Sequence, residues 1–169
     1  VNYSYGIFKF NNNNYEFDEK INVKIISPNF SLKDYQNQTE EFQLKRLIKI
    51  SDPVKEKKTL FIWPEGVFYQ SYLDDIKNYQ SLFKEKFSKN HLIILGINNF
   101  TYNSANNKKY FNSLIVFNNK VEILSLYNKV HLVPFGEFLP LEKTLSKFGL
   151  KKITPGYSSF SAGNIRKVI

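Results

Sequence analysis

The run Thr59-Leu60-Phe61-Ile62-Trp63, closed by Pro64, constrains the fold of this chain more than any other stretch. A continuous apolar run this short is the pattern of a strand buried on both faces, and proline cannot continue a ladder. Such strands belong to layered α/β domains. The preceding residues agree with this reading. Val23-Lys24-Ile25-Ile26-Ser27, ended by Pro28, reads as another buried strand, and 39–50 carries Leu44, Leu47 and Ile48 at helical spacing. Glu40 and Glu41 near the start of that helix and lysines toward its end suit the helix dipole, and Asp52-Pro53 stops it.

Beyond Pro64, Ser71 and Asp74 have the spacing of a capping box, so a second helix is predicted from there to about 89, with Leu73, Ile76, Phe83 and Phe87 as its apolar stripe. A strand is predicted over 91–98 and a polar loop over 101–109. Two more strands follow over 111–117 and 121–127, joined by Asn118-Asn119, a pair that tolerates the positive φ of a tight turn. At the other end, alternation over 5–10 predicts a short edge strand, the asparagines 11–14 a turn, and 29–38 a polar loop. Residues 141–148 read as a short helix and 154–164 as a loop. Residues 1–20 are thus an entry segment and 21–169 one α/β domain. In such domains ligands gather at the carboxyl ends of strands. Glu65 and Lys129 both fall at such ends.

Composition narrows the function. A chain of 169 residues with 42% apolar and 17% aromatic side chains can bury a core. The net charge of +9 would suit an anionic partner such as an acidic membrane surface, but the lysines cluster weakly and read first as a merely solvated basic surface. Of its 24 basic residues only Arg46 and Arg166 are arginine, and the lysine groups lack interleaved aromatics, so nucleic acid is not the expected partner. There is no cysteine, hence no disulfide, thiolate metal site or cysteine nucleophile within the chain. No metal-ligand cluster or phosphate loop appears, so no metal and no cofactor are expected. No apolar run reaches the length of a bilayer span. The lack of methionine, with Val1 first, reads as a segment of something longer.

Chemistry concentrates in 127–140, Tyr-Asn-Lys-Val-His-Leu-Val-Pro-Phe-Gly-Glu-Phe-Leu-Pro. Lys129 follows a strand directly, where an ammonium can meet a developing oxyanion, and the Pro134-Phe135-Gly136 turn reverses the backbone and aims Glu137. Glu65, after Trp63 and Pro64, reads either as a surface carboxylate in a turn or as a partly desolvated general base held against Trp63 and Phe68. Lys129 taken alone reads either as a solvated surface lysine or as the cation for an oxyanion. His131 shares a strand face with Lys129 and is expected to be a hydrogen-bonded packing residue.

Trp63-Pro64-Glu65 and the later Tyr-Asn-Lys-Val-His-Leu-Val-Pro-Phe-Gly-Glu-Phe-Leu-Pro together resemble the nitrilase superfamily, and within it the apolipoprotein N-acyltransferases, which add the third acyl chain to bacterial lipoproteins. Ile26-Ser27-Pro28-Asn29, Phe111-Asn112-Ser113 and Ser158-Ser159-Phe160-Ser161 support the resemblance. It implies a partial αββα sandwich and a Glu-Lys-Cys triad in which Glu65 is the general base and Lys129 the charge-stabilising lysine. Glu137 is a further glutamate needed near the site. Trp63, Tyr35, His131 and Phe135 are the implied substrate contacts, Tyr35 standing in a loop where relatives carry tryptophan. The cysteine is expected beyond Ile169, and membrane helices before Val1. The implied partners are a phospholipid acyl donor and a diacylated lipoprotein, at the periplasmic side of a bacterial inner membrane. A small-substrate amidase of the same superfamily and a non-catalytic basic lipid-binding module are the alternatives.

Overall fold

The computed structural model describes residues 2–12, 20–145, 147, 149 and 159–165. The predicted turn at 13–14, the predicted helix at 146 and 148, and 154–158 of the predicted loop lie outside them. The elements are α1 (Asn2–Asn12), β1 (Asn22–Ile25), α2 (Leu32–Asn37), α3 (Glu40–Ser51), β2 (Thr59–Ile62) and β3 (Phe68–Tyr72). A 3-10 helix (Leu73–Tyr79), α4 (Gln80–Lys86), β4 (His91–Tyr102), β5 (Lys108–Asn118), β6 (Ile123–Asn128) and α5 (Glu142–Leu145) follow.

One mixed sheet has the order β1-β2-β4-β5-β6, parallel from β1 to β4 and antiparallel from β4 to β6. β2 pairs with His91 to Ile94 of β4, and β3 pairs with Ile97 and Asn98. β5 takes the opposite edge of β4, so β2 and β3 run along one edge with a break between them. Phe61, Ile93, Leu95, Ile115 and Phe117 turn inward and meet Leu44, Leu47 and Ile48 of α3 and Phe83 of α4. Phe83 packs edge-on against Phe117 at 5.1 Å between ring centres. Burying side chains of this size gives about 1.5–3 kcal/mol each, which makes this cluster the main source of stability.

The opposite face of the sheet is apolar and uncovered among the described residues. Register puts Val23 beside Leu60 and Leu92, and Ile25 beside Ile62 and Ile94. Val23 is 57% and Ile25 78% exposed. β1 is therefore an edge strand open on this face, not the buried strand predicted. Half of a sandwich, one helical layer on one sheet, accounts for this: every second residue of β1 faces where no layer lies.

α3 starts and stops where its sequence directs. Thr39 Oγ1 accepts the Phe42 N–H at 3.2 Å, and Asp52 takes the left-handed conformation that ends the helix. Lys24 of β1 donates to the carbonyls of Ser51 and Asp52, at 3.0 and 2.7 Å, which ties the helix terminus to the sheet.

Several local expectations fail for identifiable reasons. Residues 5–10 are helical within α1, because a short alternation does not by itself select a strand. The predicted loop 29–38 holds α2, started by a capping box between Ser31 and Asp34. The second predicted helix is split into the 3-10 helix and α4, and its start is fixed by Asp75 accepting the Tyr72 N–H at 2.8 Å, not by Ser71 and Asp74. The predicted polar loop 101–109 is shorter than expected: 103–107 form it, and its two ends belong to β4 and β5, which continue as a long hairpin. At the next turn Val121, not the asparagine pair, takes positive φ; Asn118 organises it by accepting the Lys120 and Glu122 N–H groups.

β3 went unpredicted because its middle is polar. Its partner is the buried Glu40, which accepts the N–H groups of Gln70 and Ser71, the Ser71 hydroxyl and the Tyr79 hydroxyl. These bonds pin the start of α3 to β3. Glu40→Ala leaves those donors unpaired and is expected to lower stability by about 3 kcal/mol, measured by urea denaturation. A loss below about 1 kcal/mol would show that water replaces the carboxylate.

Candidate active site

The break between β2 and β3 makes the site. Pro64 ends β2, Gly66 has a φ of +83°, and between them Glu65 leans over β4 at Gly96. A Cβ on Gly96 would stand 3.4 Å from Glu65 Cγ, so the interior glycine gives the glutamate its seat. The Glu65 carboxylate then meets Asn112 of β5, whose Nδ2 donates to Oε1 at 2.9 Å.

Lys129 follows β6 immediately. Its N–H donates to the Asn112 carbonyl at 2.8 Å, which extends the β5–β6 pairing by one rung. The chain then reverses through a turn closed by Phe135 N–H to Phe138 O, 2.7 Å, and Glu137 N–H to Val133 O, 2.8 Å. Positive φ falls on Phe135, at 62°, while Gly136 packs against Val133. As expected from the sequence, the turn aims Glu137 inward. Lys129 Nζ lies 3.0 Å from Glu137 Oε1 and 2.9 Å from Oε2. The Val133 N–H also donates to Oε2, at 2.8 Å.

Asn112 joins the two halves. The same Nδ2 that reaches Glu65 donates to Glu137 Oε1 at 2.9 Å. Both neighbours are acceptors, so only the amide NH2 end of Asn112 fits there, one N–H to each carboxylate. Glu65, Asn112, Glu137 and Lys129 form one connected network. Glu65, Asn112 and Lys129 line a hollow of about 240 Å³ together with Gly96, Ser113 and Tyr127. Lys129 donates to Glu137 Oε1 and stands within ion-pair reach of Oε2, and an ammonium with three N–H groups keeps donor capacity for the hollow.

Burial pushes the Glu137 carboxyl up, but the Lys129 ammonium, the Val133 N–H and the Asn112 amide outweigh it and hold the group below its ordinary value of 4.5. The fold therefore favours the ionised form. Its contribution to stability is complete above pH 4.5 and is lost as pH falls through the lower folded value. Wild type and Glu137→Gln are expected to differ most in urea midpoint near neutral pH and to converge on acidification. A gap that widens at low pH would contradict the pairing.

The other expected site residues fall less uniformly. Glu65 is exposed, so the expected desolvation against Trp63 and Phe68 is absent: both rings are buried in the core. Trp63 borders the hollow, but its indole N–H is used on Ser51 Oγ at 3.0 Å. Tyr35 packs edge-on to Phe30 and Tyr69 at 6.0 and 5.3 Å, with its hydroxyl 3.8 Å from where a Cβ on Gly66 would stand. It flanks the Glu65 turn without lining the hollow, and burial raises its phenol. Phe135 is exposed at the turn. His131 is exposed too, in a bend after β6 has ended, so the strand face it was to share with Lys129 does not exist. The fixed core histidine is His91: Nδ1 accepts the Ser88 N–H at 3.1 Å, and Nε2 donates to Val54 O at 2.9 Å.

A strand-end carboxylate and a strand-end lysine in one hollow of an α/β sheet agree with the family match. The model of the carbon-nitrogen hydrolase family matches residues 31–165, and the chain belongs to that family. Its fold is a partial nitrilase-like α/β arrangement. Among curated relatives, the Apolipoprotein N-acyltransferase of Bradyrhizobium diazoefficiens is 27% identical over 160 residues, 87% of this chain and 29% of the relative. That of Sinorhizobium fredii is 44% identical over 64 residues, 36% of this chain and 12% of the relative. The chain thus spans less than a third of the length of these proteins. A solved N-terminal amidase aligns weakly, with a TM-score of 0.35 and 18% identity over 67% of this chain and 28% of its own.

Proposed function

We propose that this domain supplies the base and the cation of an acyltransferase that moves a fatty acyl chain from a phospholipid to the α-amine of a diacylglyceryl-cysteine lipoprotein. The observation that carries this reading is the network in which Asn112 holds Glu65 to the Lys129–Glu137 pair across one hollow. The chain has no cysteine and spans a minor part of its relatives, so the nucleophile is proposed to come from further sequence of a longer protein.

In that protein Glu65 takes the thiol proton, because the thiolate is the nucleophile. The thiolate attacks the ester carbonyl carbon of the phospholipid, and the negative oxygen that forms is met by the Lys129 ammonium. The intermediate collapses to a thioester and releases the lysophospholipid with a proton returned by Glu65. The lipoprotein α-amine then attacks the thioester, gives up a proton, and regenerates the thiol. Asn112 and Glu137 orient the acid/base and the cation. The exposed apolar sheet face is proposed to receive the second layer of the sandwich, and the protein to stand at the inner membrane with this domain on the periplasmic side.

The family description itself favours a second reading, hydrolysis of a small amide by the same Glu, Lys and Cys. The purified longer protein, offered a phospholipid with a diacylated peptide or a panel of small amides, separates the two. Triacylated peptide is the expected product. Ammonia release from amides without acyl transfer would overturn the acyltransferase reading.

A further inference from the structure

Lys129 is held from a direction that the triad does not explain. The segment 159–163 lies across the end of β6 as a strap. Its bonds run Phe160 N–H to Glu137 O at 2.8 Å, Ser161 N–H to Tyr110 O at 2.7 Å and Gly163 N–H to Lys129 O at 2.9 Å. One short segment therefore fixes the backbone of both members of the Lys129–Glu137 pair and of β5, two residues before Asn112. The Lys129 backbone is held on both sides, its N–H by the Asn112 carbonyl and its C=O by Gly163.

Gly163 makes this closeness possible. A Cβ at that position would lie 2.2 Å from Asn128 O, 2.9 Å from Asn128 C and 3.0 Å from Asn128 Cβ. The first two atoms belong to the peptide group that joins Asn128 to Lys129. A methyl here would press on rigid backbone at the base of the lysine, and no side-chain rotation could relieve it.

We propose that Gly163 is a positioning residue for Lys129, with the strap 159–163 setting where the ammonium stands relative to Glu65. The inference rests on reading Lys129 as the cation of the proposed reaction. A lysine with four rotatable methylenes is precise only if its backbone and its partner are both fixed. The strap fixes the backbone of each. A displacement of about 1 Å at such a site costs on the order of a hundredfold in rate.

The test compares Gly163→Ala with wild type and Lys129→Ala in the longer protein, following acyl transfer from phospholipid to a diacylated peptide. Gly163→Ala is expected to lower kcat by about a hundredfold while KM for the peptide stays within about twofold, because the cation and not the binding surface moves. Wild-type kcat in Gly163→Ala, with Lys129→Ala inactive, overturns the positioning role and leaves the site reading intact. A raised KM with unchanged kcat overturns it as well. Wild-type turnover in Lys129→Ala overturns the site reading on which the role depends. Should Gly163→Ala fail to fold, hydrogen exchange of the wild-type protein decides: the amides of Phe160, Ser161 and Gly163 are expected to exchange as slowly as those of β5, and exchange at free-peptide rates overturns the strap.

Discussion

Glu65→Gln in the longer protein is expected to lower acyl transfer about a thousandfold, the upper part of the range for a lost general base. The substitution is nearly isosteric, and a glutamine oxygen still accepts from Asn112, so the 2.9 Å contact to Nδ2 survives. Folding should be unaffected because Glu65 is exposed and the variant keeps both the Asn112 bond and the seat at Gly96. What changes is the ability to take a proton. Thermal midpoints of variant and wild type should agree while rates differ, and thioester formation should be the step that fails. Turnover within tenfold of wild type would mean that another group, or water, carries the proton.

Lys129→Ala is expected to remove activity by about a thousandfold and to act in two places at once. The developing oxyanion loses its cation. Glu137, mostly covered, loses the partner that lies 3.0 and 2.9 Å from its two oxygens and retains the Val133 N–H and the Asn112 amide. The lysine is partly exposed and solvent screens the pair, so the stability loss should be no more than about 1 kcal/mol. Lys129→Ala combined with Glu137→Gln should recover that stability and none of the rate. Recovery of rate in the double variant would show that the lysine only neutralises Glu137. Persistence of activity in the single variant would remove Lys129 from the mechanism.

The parts of the site that rest on local patterns could be read from the sequence. The Thr59–Ile62 strand announces itself by its apolar run and its proline, and so places Glu65 at a strand end. The Pro134-Phe135-Gly136 turn likewise delivers Glu137 to Lys129. Asn112 could not be found this way. Its role depends on three elements meeting: the β4–β5 register that sets it opposite Asn98, the break that carries Glu65, and the turn that returns Glu137. Glycines offered the missed signal. Gly96 inside an apolar strand and Gly163 in a polar segment mark places where another chain segment comes close, and both lie against this site. The misplaced histidine has a similar cause. Alternation puts His131 on the face of Lys129 only if the strand continues, and β6 ends at Asn128.

β3 shows the same limit from the side of the fold. Tyr69, Gln70 and Ser71 have no apolar pattern, because the N–H groups of Gln70 and Ser71 and the Ser71 hydroxyl are satisfied by a glutamate from α3, some thirty positions earlier in the chain, and the Tyr69 hydroxyl donates to the Gln38 carbonyl. Period-two patterning reports a face packed on apolar neighbours, and β3 is instead held at its middle by a carboxylate. Without β3 the break that seats Glu65 would look like an ordinary turn after a strand.

Whether Glu65 and Lys129 serve a cysteine thiolate in acyl transfer is tested most directly by intact-protein mass spectrometry of the longer protein after incubation with phospholipid and no peptide. A fatty acyl adduct on a single cysteine is expected, released by neutral hydroxylamine and absent from both Glu65→Gln and Lys129→Ala. An adduct that forms equally well in either variant, or peptide acylation that proceeds with no adduct on cysteine, would contradict it.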